Sequence, residues 1–240
     1  MNAIFQQLQV YSNPEKVEFF PHFFKAGKGG YGEGDHFLGV VVPDIRKVAK
    51  QNLMLSLKEI EEILQSEYHE CRLCALMILV EKFKKSHSKE EKKEIFDFYL
   101  SHTKYVNNWD LVDLSTRDIV GEFLADKDRR ILYQLAESHS LWEQRISIIS
   151  SFVFIKRGEL EDTLALSEKL LHHPHDLIHK AVGWMLREVG KRDKKTLTDF
   201  LDKHHKTMPR TMLRYAIEKF PEEERKFYLK KQFCINFYII

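Results

Sequence analysis

The sequence predicts an all-α fold in which two-helix repeats stack along the chain as an α-solenoid. From residue 43 onward, apolar residues recur at i, i+3, i+4 and i+7, in segments separated by short polar or Pro-containing breaks. In addition, a polar residue opens each of five apolar runs at intervals of 38, 35, 35 and 30 positions: Arg72, Asp110, Arg145, Lys180 and Arg210. This quasi-period is typical of HEAT-like or armadillo-like repeats, whose second helices line a concave face. We expect that face to be basic, and a plain multi-helix bundle is the alternative.

Helix starts are expected where Ser, Asp, Asn or Pro precedes a periodic segment. They lie near Asn2, Pro14, Pro43, Ser56, Tyr68, Ser88, Asn108, Lys127, Leu141, Glu159, His175, Lys194, Thr207 and Glu222. Extended chain is predicted only around Phe37–Val42. We expect a single domain over residues 1–240, with N-terminal helices and a Gly-rich loop in 1–42, helical repeats in 43–232, and an apolar tail covering a hydrophobic edge in 233–240.

The composition is that of an ordinary globular protein. Of the 240 residues, 43% are hydrophobic, which is enough for a sizeable core. The formal net charge of +2 gives no overall attraction to nucleic acid, so any such function must rest on local clusters of Lys and Arg. Three cysteines are too few for a disulfide framework, and neither a leader peptide nor a membrane span is apparent. We therefore expect a cytoplasmic protein without membrane contact.

Six of the ten glycines lie between residues 27 and 39 and mark one non-helical loop. Three of them match G-x-G-x-x-G, but no βαβ unit surrounds them, so a dinucleotide site is not expected: Gly27, Gly29 and Gly32. Two interpretations of the Gly27–Asp35 loop stay open. With Lys25 and Lys28 nearby it is suited to offering backbone N–H groups to a phosphate, or it is a plain connector.

Two clusters of metal-ligand residue types favour structural roles. Cys71 and Cys74 form C-x-x-C inside an apolar helical run, without a second pair at zinc spacing, which predicts buried core cysteines. The histidines around Pro174 have no acidic third ligand in an HExxH arrangement, which predicts a His-rich turn and helix N-cap: His172, His173, His175 and His179. Neither a metal nor a cofactor is therefore expected.

Aromatic and charged residues share helix faces at several places. Trp109 and Asp113 are four residues apart, with Arg117 one turn further on, so all three are expected on one stripe. An Asp113–Arg117 ion pair with a packed Trp109 is the ordinary alternative. On the helix from His175, a basic stripe with an aromatic in its middle has spacings of 4, 3 and 4: Lys180, Trp184, Arg187 and Lys191.

Two further helices repeat this pattern of aromatic and basic residues. Trp142 and Arg145 are three apart, and Arg210 and Arg214 are four apart. Solvated helix faces explain each pair separately but explain their common register less well. The shared register predicts a groove that tracks a nucleic-acid backbone.

Several separated segments, in one order and over nearly the whole chain, resemble the bacterial DNA alkylation repair proteins, the AlkD-type HEAT-like repeat DNA glycosylases. These segments are GYGEGDHFLGVVVPDIRKVAK, NNWDLVD, WEQRISIISSFVFIKRG, HDLIHKAVGWMLREVGKR and MPRTMLRYAIEKFP. The resemblance implies hydrolysis of the N-glycosidic bond of cationic N3- or N7-alkylated purines in duplex DNA, with the base left stacked. A monomer is the simplest expectation for a solenoid that wraps a duplex. Some relatives of this kind bind damaged or branched DNA without excision, which is the main alternative; a solenoid that binds only proteins is a third.

The resemblance also implies roles for individual residues. The catalytic set falls on Trp109, Asp113, Arg145 and Trp184, with Arg145 holding the phosphate backbone near the lesion. A carboxylate at Asp113 is suited to stabilising an oxocarbenium-like sugar, and the two Trp faces attract the same cation. Trp142 is expected to pack between repeats. Gln144 stands where many relatives carry a second Arg. The DNA-binding residues are expected to be Lys180, Arg187, Lys191, Arg210 and Arg214.

Overall fold

The computed structural model describes residues 3–230, within which the regular structure is helical apart from one isolated bridge between His36 and Tyr68. The prediction of an all-α fold is confirmed. The helices are α1 Ala3–Gln9, α2 Pro14–Phe23, α3 Val42–Gln51, α4 Leu57–Leu64, α5 His69–Lys85, α6 Lys89–Ser101, α7 Trp109–Asp113, α8 Glu122–Leu124, α9 Arg130–Ala136, α10 Leu141–Ser150, α11 Phe152–Arg157, α12 Glu161–Lys169, α13 Asp176–Arg192, α14 Lys194–His204, α15 Arg210–Ala216 and α16 Glu222–Leu229. The helix start expected at Asn2 and the tail at 233–240 lie outside the described residues.

Side-chain caps account for many of the helix starts. The strongest case is α4, where the Ser56 hydroxyl accepts from the Glu59 backbone N–H at 3.3 Å and the Glu59 carboxylate accepts from the Ser56 N–H at 2.8 Å. Other side chains cap α2, α6, α7, α10, α13 and α14: Asn13, Ser88, Asn108, Ser140, His175 and Asp193. Helices expected near Lys127, Glu159 and Thr207 begin two or three residues later, and none of these three helices has a side-chain cap at its start.

The helices stack as an α-solenoid. Helices α5, α7, α10, α13 and α15 contact one another in succession, while α4, α9, α12 and α14 pack against the same row from one side. A single cluster of buried apolar side chains extends from Ile4 to Tyr228 through this stack. Helix α10 contacts both α7 and α13, so these three helices lie next to one another. None of the helices between residues 3 and 230 is long and apolar enough to span a membrane.

The expected core cysteines are buried in α5. Cys71 and Cys74 are 2% and 0% exposed, and burial raises the pKa of the two thiols to about 11 and about 12. Such thiols are inert at neutral pH, because the reactive form is the thiolate. The C-x-x-C pair therefore serves packing, as predicted.

Candidate active site

A cavity of about 610 Å³, here named the central cleft, lies where α7, α10 and α13 begin. Its walls contain all four residues that the sequence singles out as catalytic, Trp109, Asp113, Arg145 and Trp184, from three different helices. The remaining lining residues come from the Gly-rich loop and from α2, α13 and α15: Phe23, Lys25, Tyr31, Leu177, Lys180, Arg187 and Tyr215. The stacking of repeats thus brings together residues that are 75 positions apart in sequence, from 109 to 184.

The centre of the cleft is a bidentate ion pair between Arg145 and Asp113. The Arg145 Nε donates to Asp113 Oδ1 at 2.9 Å, and Nη2 donates to Oδ2 at 2.8 Å. The Nη1 of Arg145 donates to the Leu177 carbonyl at 2.6 Å, which ties α10 to the start of α13. Fork-to-fork geometry of this kind fixes the carboxylate in one orientation. The Asp113 side chain keeps 16% of its surface exposed, so it is held in place but still accessible from the cleft.

This environment differs from the open phosphate wall expected around Arg145. A residue on an open phosphate wall would be exposed, whereas Arg145 is 5% exposed and its charge is matched by Asp113. Helix periodicity shows that Arg145 lies on the inward stripe of α10, but it cannot show that a carboxylate 32 residues away meets it there. The structure therefore gives Arg145 a direct role in holding Asp113.

Two further repeat openers, Arg72 and Asp110, are also buried and paired. Arg72 is 4% exposed and pairs with Asp35 at 2.6 Å, while Asp110 is 6% exposed and contacts His69 at 2.8 Å. Buried charges require partners, and neighbouring elements provide them here. At Arg72, Asp110 and Arg145 the openers therefore mark buried ion pairs, whereas Lys180 is partly exposed and Arg210 is exposed.

Helix α7 is only five residues long, and its ends explain how Trp109 and Asp113 are placed. The buried Asn108 side chain accepts from the Trp109 N–H at 2.9 Å and begins the helix. After Asp113 the α-helical pattern stops, and a π-helical turn follows at Arg117–Gly121. Such turns occur frequently at functional sites, since they rotate the following residues out of the α-helical register.

Helix α7 ends at Asp113, before Arg117 begins the π-helical turn, and the ion-pair partner of Asp113 is Arg145, so the alternative of an Asp113–Arg117 pair is wrong. The Arg117 guanidinium lies 5.0 Å from the centroid of the Phe152 ring and 5.7 Å from that of Trp184. The Trp184 indole N–H donates to the Glu188 carboxylate at 3.2 Å. Trp184 is thus oriented by a cation–π contact and a hydrogen bond, both from the protein itself.

Aromatic residues of α2 hold Trp109 on its other sides, and sequence reasoning missed them. Phe24 stacks on Trp109 with centroids 5.6 Å apart, and Phe23 meets it edge-on at 5.7 Å. Together with Trp109 and Asp113 they border a second, mostly apolar cavity of about 370 Å³. The segment EFFPHFF could have indicated these contacts, because it has four Phe in six residues, more than one buried helix face needs.

The basic residues predicted for DNA contact are spread over different environments. Only Lys180 and Arg187 line the central cleft; the other three lie outside it: Lys191, Arg210 and Arg214. Arg210 is exposed and donates to the Leu229 carbonyl at 2.8 Å, at the end of α16. The predicted concave wall shared by Arg145, Lys180 and Arg210 is therefore not formed around one cavity.

Carboxylates compensate most of these basic charges. Lys180 pairs with Asp176 at 2.7 Å, and Arg187 pairs with Glu218 of α15. Lys191 pairs with Glu188 at 2.7 Å. A pattern of basic residues along one helix does not reveal the carboxylates that pair with them, which lie at positions i−4 and i−3 or on the next helix. Three of the five predicted DNA-binding residues are therefore paired with carboxylates.

A buried charged cluster joins the Gly-rich loop to the start of α7. The His69 ring contacts Asp110 through Nε2 at 2.8 Å and Asp35 through Nδ1 at 3.2 Å, and Arg72 completes the cluster through Asp35. Burial disfavours the charged imidazole, but the two carboxylates outweigh burial and raise the pKa of His69 to about 9. His69 is therefore protonated at neutral pH and donates to both carboxylates.

We expect this cluster to make the folded protein less stable as the pH becomes alkaline. The pKa of His69 is higher in the folded protein than the value of about 6.5 in an unfolded chain. The contribution of His69 to the free energy of unfolding is therefore complete below about pH 6.5. It is lost as the pH rises through about 9, by up to about 3 kcal/mol. Urea unfolding at several pH values measures this loss. His69→Gln should remove the pH dependence and the exposed His36→Gln should keep it; an identical slope in His69→Gln would assign it to other groups.

The His-rich turn before α13 has the predicted structural role. The His175 ring accepts from the Leu177 N–H at 3.1 Å and caps the helix, and His173 contacts Gln144 at 2.8 Å through Nε2. Between residues 3 and 230, no group of His, Cys, Asp and Glu side chains is arranged to hold a metal ion.

Comparisons with known proteins agree with this architecture. The family model described as DNA alkylation repair enzyme matches residues 4–220. The solved structure of a predicted DNA alkylation repair enzyme from Enterococcus faecalis is 18% identical, with a TM-score of 0.69 over 90% of this chain and 99% of that one. At this identity the solved structure supports the fold alone. No curated protein matches. Because the family model spans most of the chain, this protein belongs to the DNA alkylation repair enzyme family.

Proposed function

We propose that this protein is a DNA glycosylase that excises cationic N3- or N7-alkylated purines from duplex DNA by hydrolysing the N-glycosidic bond. The observation that carries the proposal is the Asp113 carboxylate, which Arg145 holds in one orientation at the edge of the central cleft. Two tryptophans line the same cleft. A fixed anion between aromatic rings is suited to a cation that develops during a reaction.

The chemistry of the lesion matches this arrangement. An N3- or N7-alkylated purine is already positively charged, so it leaves without a general acid to protonate it. As the bond between C1′ and the base nitrogen breaks, its electron pair passes to the base, which becomes neutral. Positive charge then develops on the deoxyribose, where Asp113 and the ring faces of Trp109 and Trp184 stabilise it. Water adds to C1′, and the Asp113 carboxylate accepts its proton.

Phosphate contacts are proposed for the cations around the cleft. Lys25 is exposed at its rim, and Lys180 and Arg187 lie on its wall. The last two exchange their bonds to Asp176 and Glu218 for bonds to phosphate, so binding depends on salt less steeply than a count of cations implies. Contacts further along the duplex are assigned to Lys191, Arg210 and Arg214. We propose a monomer that acts in the cytoplasm without metal or cofactor.

Base release from methylated duplex DNA tests the proposal. Purified protein is incubated with DNA treated with a methylating agent, and the soluble fraction is analysed by chromatography. We expect 3-methyladenine or 7-methylguanine to appear with time, and untreated DNA to yield neither. The alternative function, binding of damaged or branched DNA without excision, predicts retention of methylated DNA and no released base. That result would contradict the glycosylase.

A further inference from the structure

Arg117 begins the π-helical turn after α7 and packs against aromatic rings rather than against a carboxylate. Its guanidinium lies 5.0 Å from the centroid of the Phe152 ring and 5.7 Å from that of Trp184. The adjacent Asp118 is already paired with Lys84 at 3.0 Å. Within the part of the chain that the structure describes, the Arg117 side chain has neither an ion pair nor a hydrogen bond. Since a guanidinium that stacks on rings keeps its N–H donors available, Arg117 is a partly buried cation with free donors.

A second cation contacts the same Phe152 ring. Lys156 lies one turn further along α11, and its ammonium nitrogen is 4.8 Å from the ring centroid. Lys156 is exposed, and no carboxylate between residues 3 and 230 pairs with it. We name Arg117 and Lys156 the cation pair. Two positive charges that share one ring repel each other, and an anion that binds both of them offsets this repulsion.

The cation pair differs from the basic residues on the wall of the central cleft. Lys180 and Arg187 each form an ion pair with a carboxylate, which must be given up before either of them binds phosphate. The cation pair has only water and mobile ions to release, so it keeps its full electrostatic attraction for a polyanion.

The cation pair also lies next to the site where the lesion is proposed to bind. The rings of Phe152 and Trp184 are 6.2 Å apart, and Trp184 lines the central cleft together with Asp113. Arg117 therefore packs on a ring that is itself part of the cleft wall. Each deoxyribose within a DNA strand is joined to a phosphodiester on both sides, so a sugar held at Asp113 brings phosphate close to this wall.

We propose that Arg117 and Lys156 form a phosphate-binding site for a backbone phosphodiester of duplex DNA next to the lesion. The planar guanidinium donates to phosphate oxygens while its face stays on the rings, and the Lys156 ammonium adds a point charge. Phosphate contacts position DNA without reading its bases, so the site holds undamaged and methylated duplex equally. The place of this phosphate beside the lesion rests on the proposed function, whereas the affinity of the site for duplex DNA does not.

Salt titrations of binding to undamaged and methylated duplex test the site. We expect Arg117→Gln and Lys156→Gln each to lower affinity about tenfold at low salt and to reduce the slope of log affinity against log salt by about one. The double variant should reduce this slope by about two. Arg117→Lys keeps the charge and should keep the slope. Lys58→Gln is the matched control and should behave as wild type, because Lys58 is exposed and without an ion pair but belongs to α4, which does not line the cleft.

An unchanged slope in the double variant would overturn the phosphate site and leave Arg117 with the orientation of Trp184 alone. Lys156→Gln keeps the test valid if Arg117→Gln lowers the yield of folded protein, since Lys156 is exposed. Base release is scored separately. If the variants reduce the slope but wild type releases no base, the glycosylase fails and the phosphate site stands. If wild type releases base and the slopes do not change, the glycosylase stands and the phosphate site fails.

Discussion

Replacing Asp113 with asparagine is expected to lower base release by a factor of about a hundred to a thousand. The amide has nearly the shape of the carboxylate and still accepts a hydrogen bond from Arg145, but it carries no charge to stabilise the cationic deoxyribose. DNA affinity should be retained, because the substitution removes a negative charge from the cleft. Single-turnover release from methylated DNA, together with a filter-binding or anisotropy titration, measures both quantities.

Asp118→Asn is the matched control for this substitution. Asp118 lies five positions along the chain, is partly exposed and pairs with Lys84 at 3.0 Å. We expect its variant to release base at the wild-type rate. A release rate for Asp113→Asn within about threefold of wild type would remove Asp113 from the chemistry, because one charge–cation contact of this kind is worth far more.

Arg145→Ala is expected to destabilise the folded protein by about 3–5 kcal/mol, the range found when one partner of a buried ion pair is removed. The Asp113 carboxylate would then be left with little compensation, and the Leu177 carbonyl would lose its donor. Urea unfolding measures the loss. The double variant Asp113→Ala/Arg145→Ala should lose much less unfolding free energy than the two single variants lose together, since the two side chains act as one unit.

Salt titrations of DNA binding distinguish this account from an open phosphate contact at Arg145. Because Asp113 neutralises the guanidinium, we expect the slope of log affinity against log salt to change little in Arg145→Ala. The exposed Arg130→Ala, whose pair with Asp128 is solvated, should leave stability almost unchanged. A slope reduced by about one, with stability unaffected, would show instead that Arg145 faces phosphate.

The sequence contains enough information for the fold and for bringing four of its singled-out residues to one cleft. Helix periodicity and the spacing of the openers predict a helical solenoid, and the Trp109 and Trp184 segments are brought to one cleft. The start of α7 near Asn108 is predicted correctly, but its end at Asp113 and the π-helical turn at Arg117–Gly121 are not, because the residue pattern carries no sign of a π-helical turn.

The electrostatics of the site were much less predictable. Rules for side-chain pairs cover residues three or four apart on one helix, so they suggest Asp113 with Arg117. The actual partner, Arg145, belongs to another repeat. In the same way, Glu218 of α15 compensates Arg187 of α13. The role of the Gly-rich loop was left open for the same reason, since Tyr31 meets the rings of Trp142 and His175 only in the folded chain.

The most direct test of the central claim uses a duplex oligonucleotide with a single 7-methylguanine under single-turnover conditions. Free base and abasic sites are measured in the same samples, for wild type and for Asp113→Asn. We expect wild type to form both products in equal amounts at the lesion, and Asp113→Asn to bind the same duplex but to form neither at an appreciable rate. Tight binding by wild type with no free base and no abasic site would contradict it.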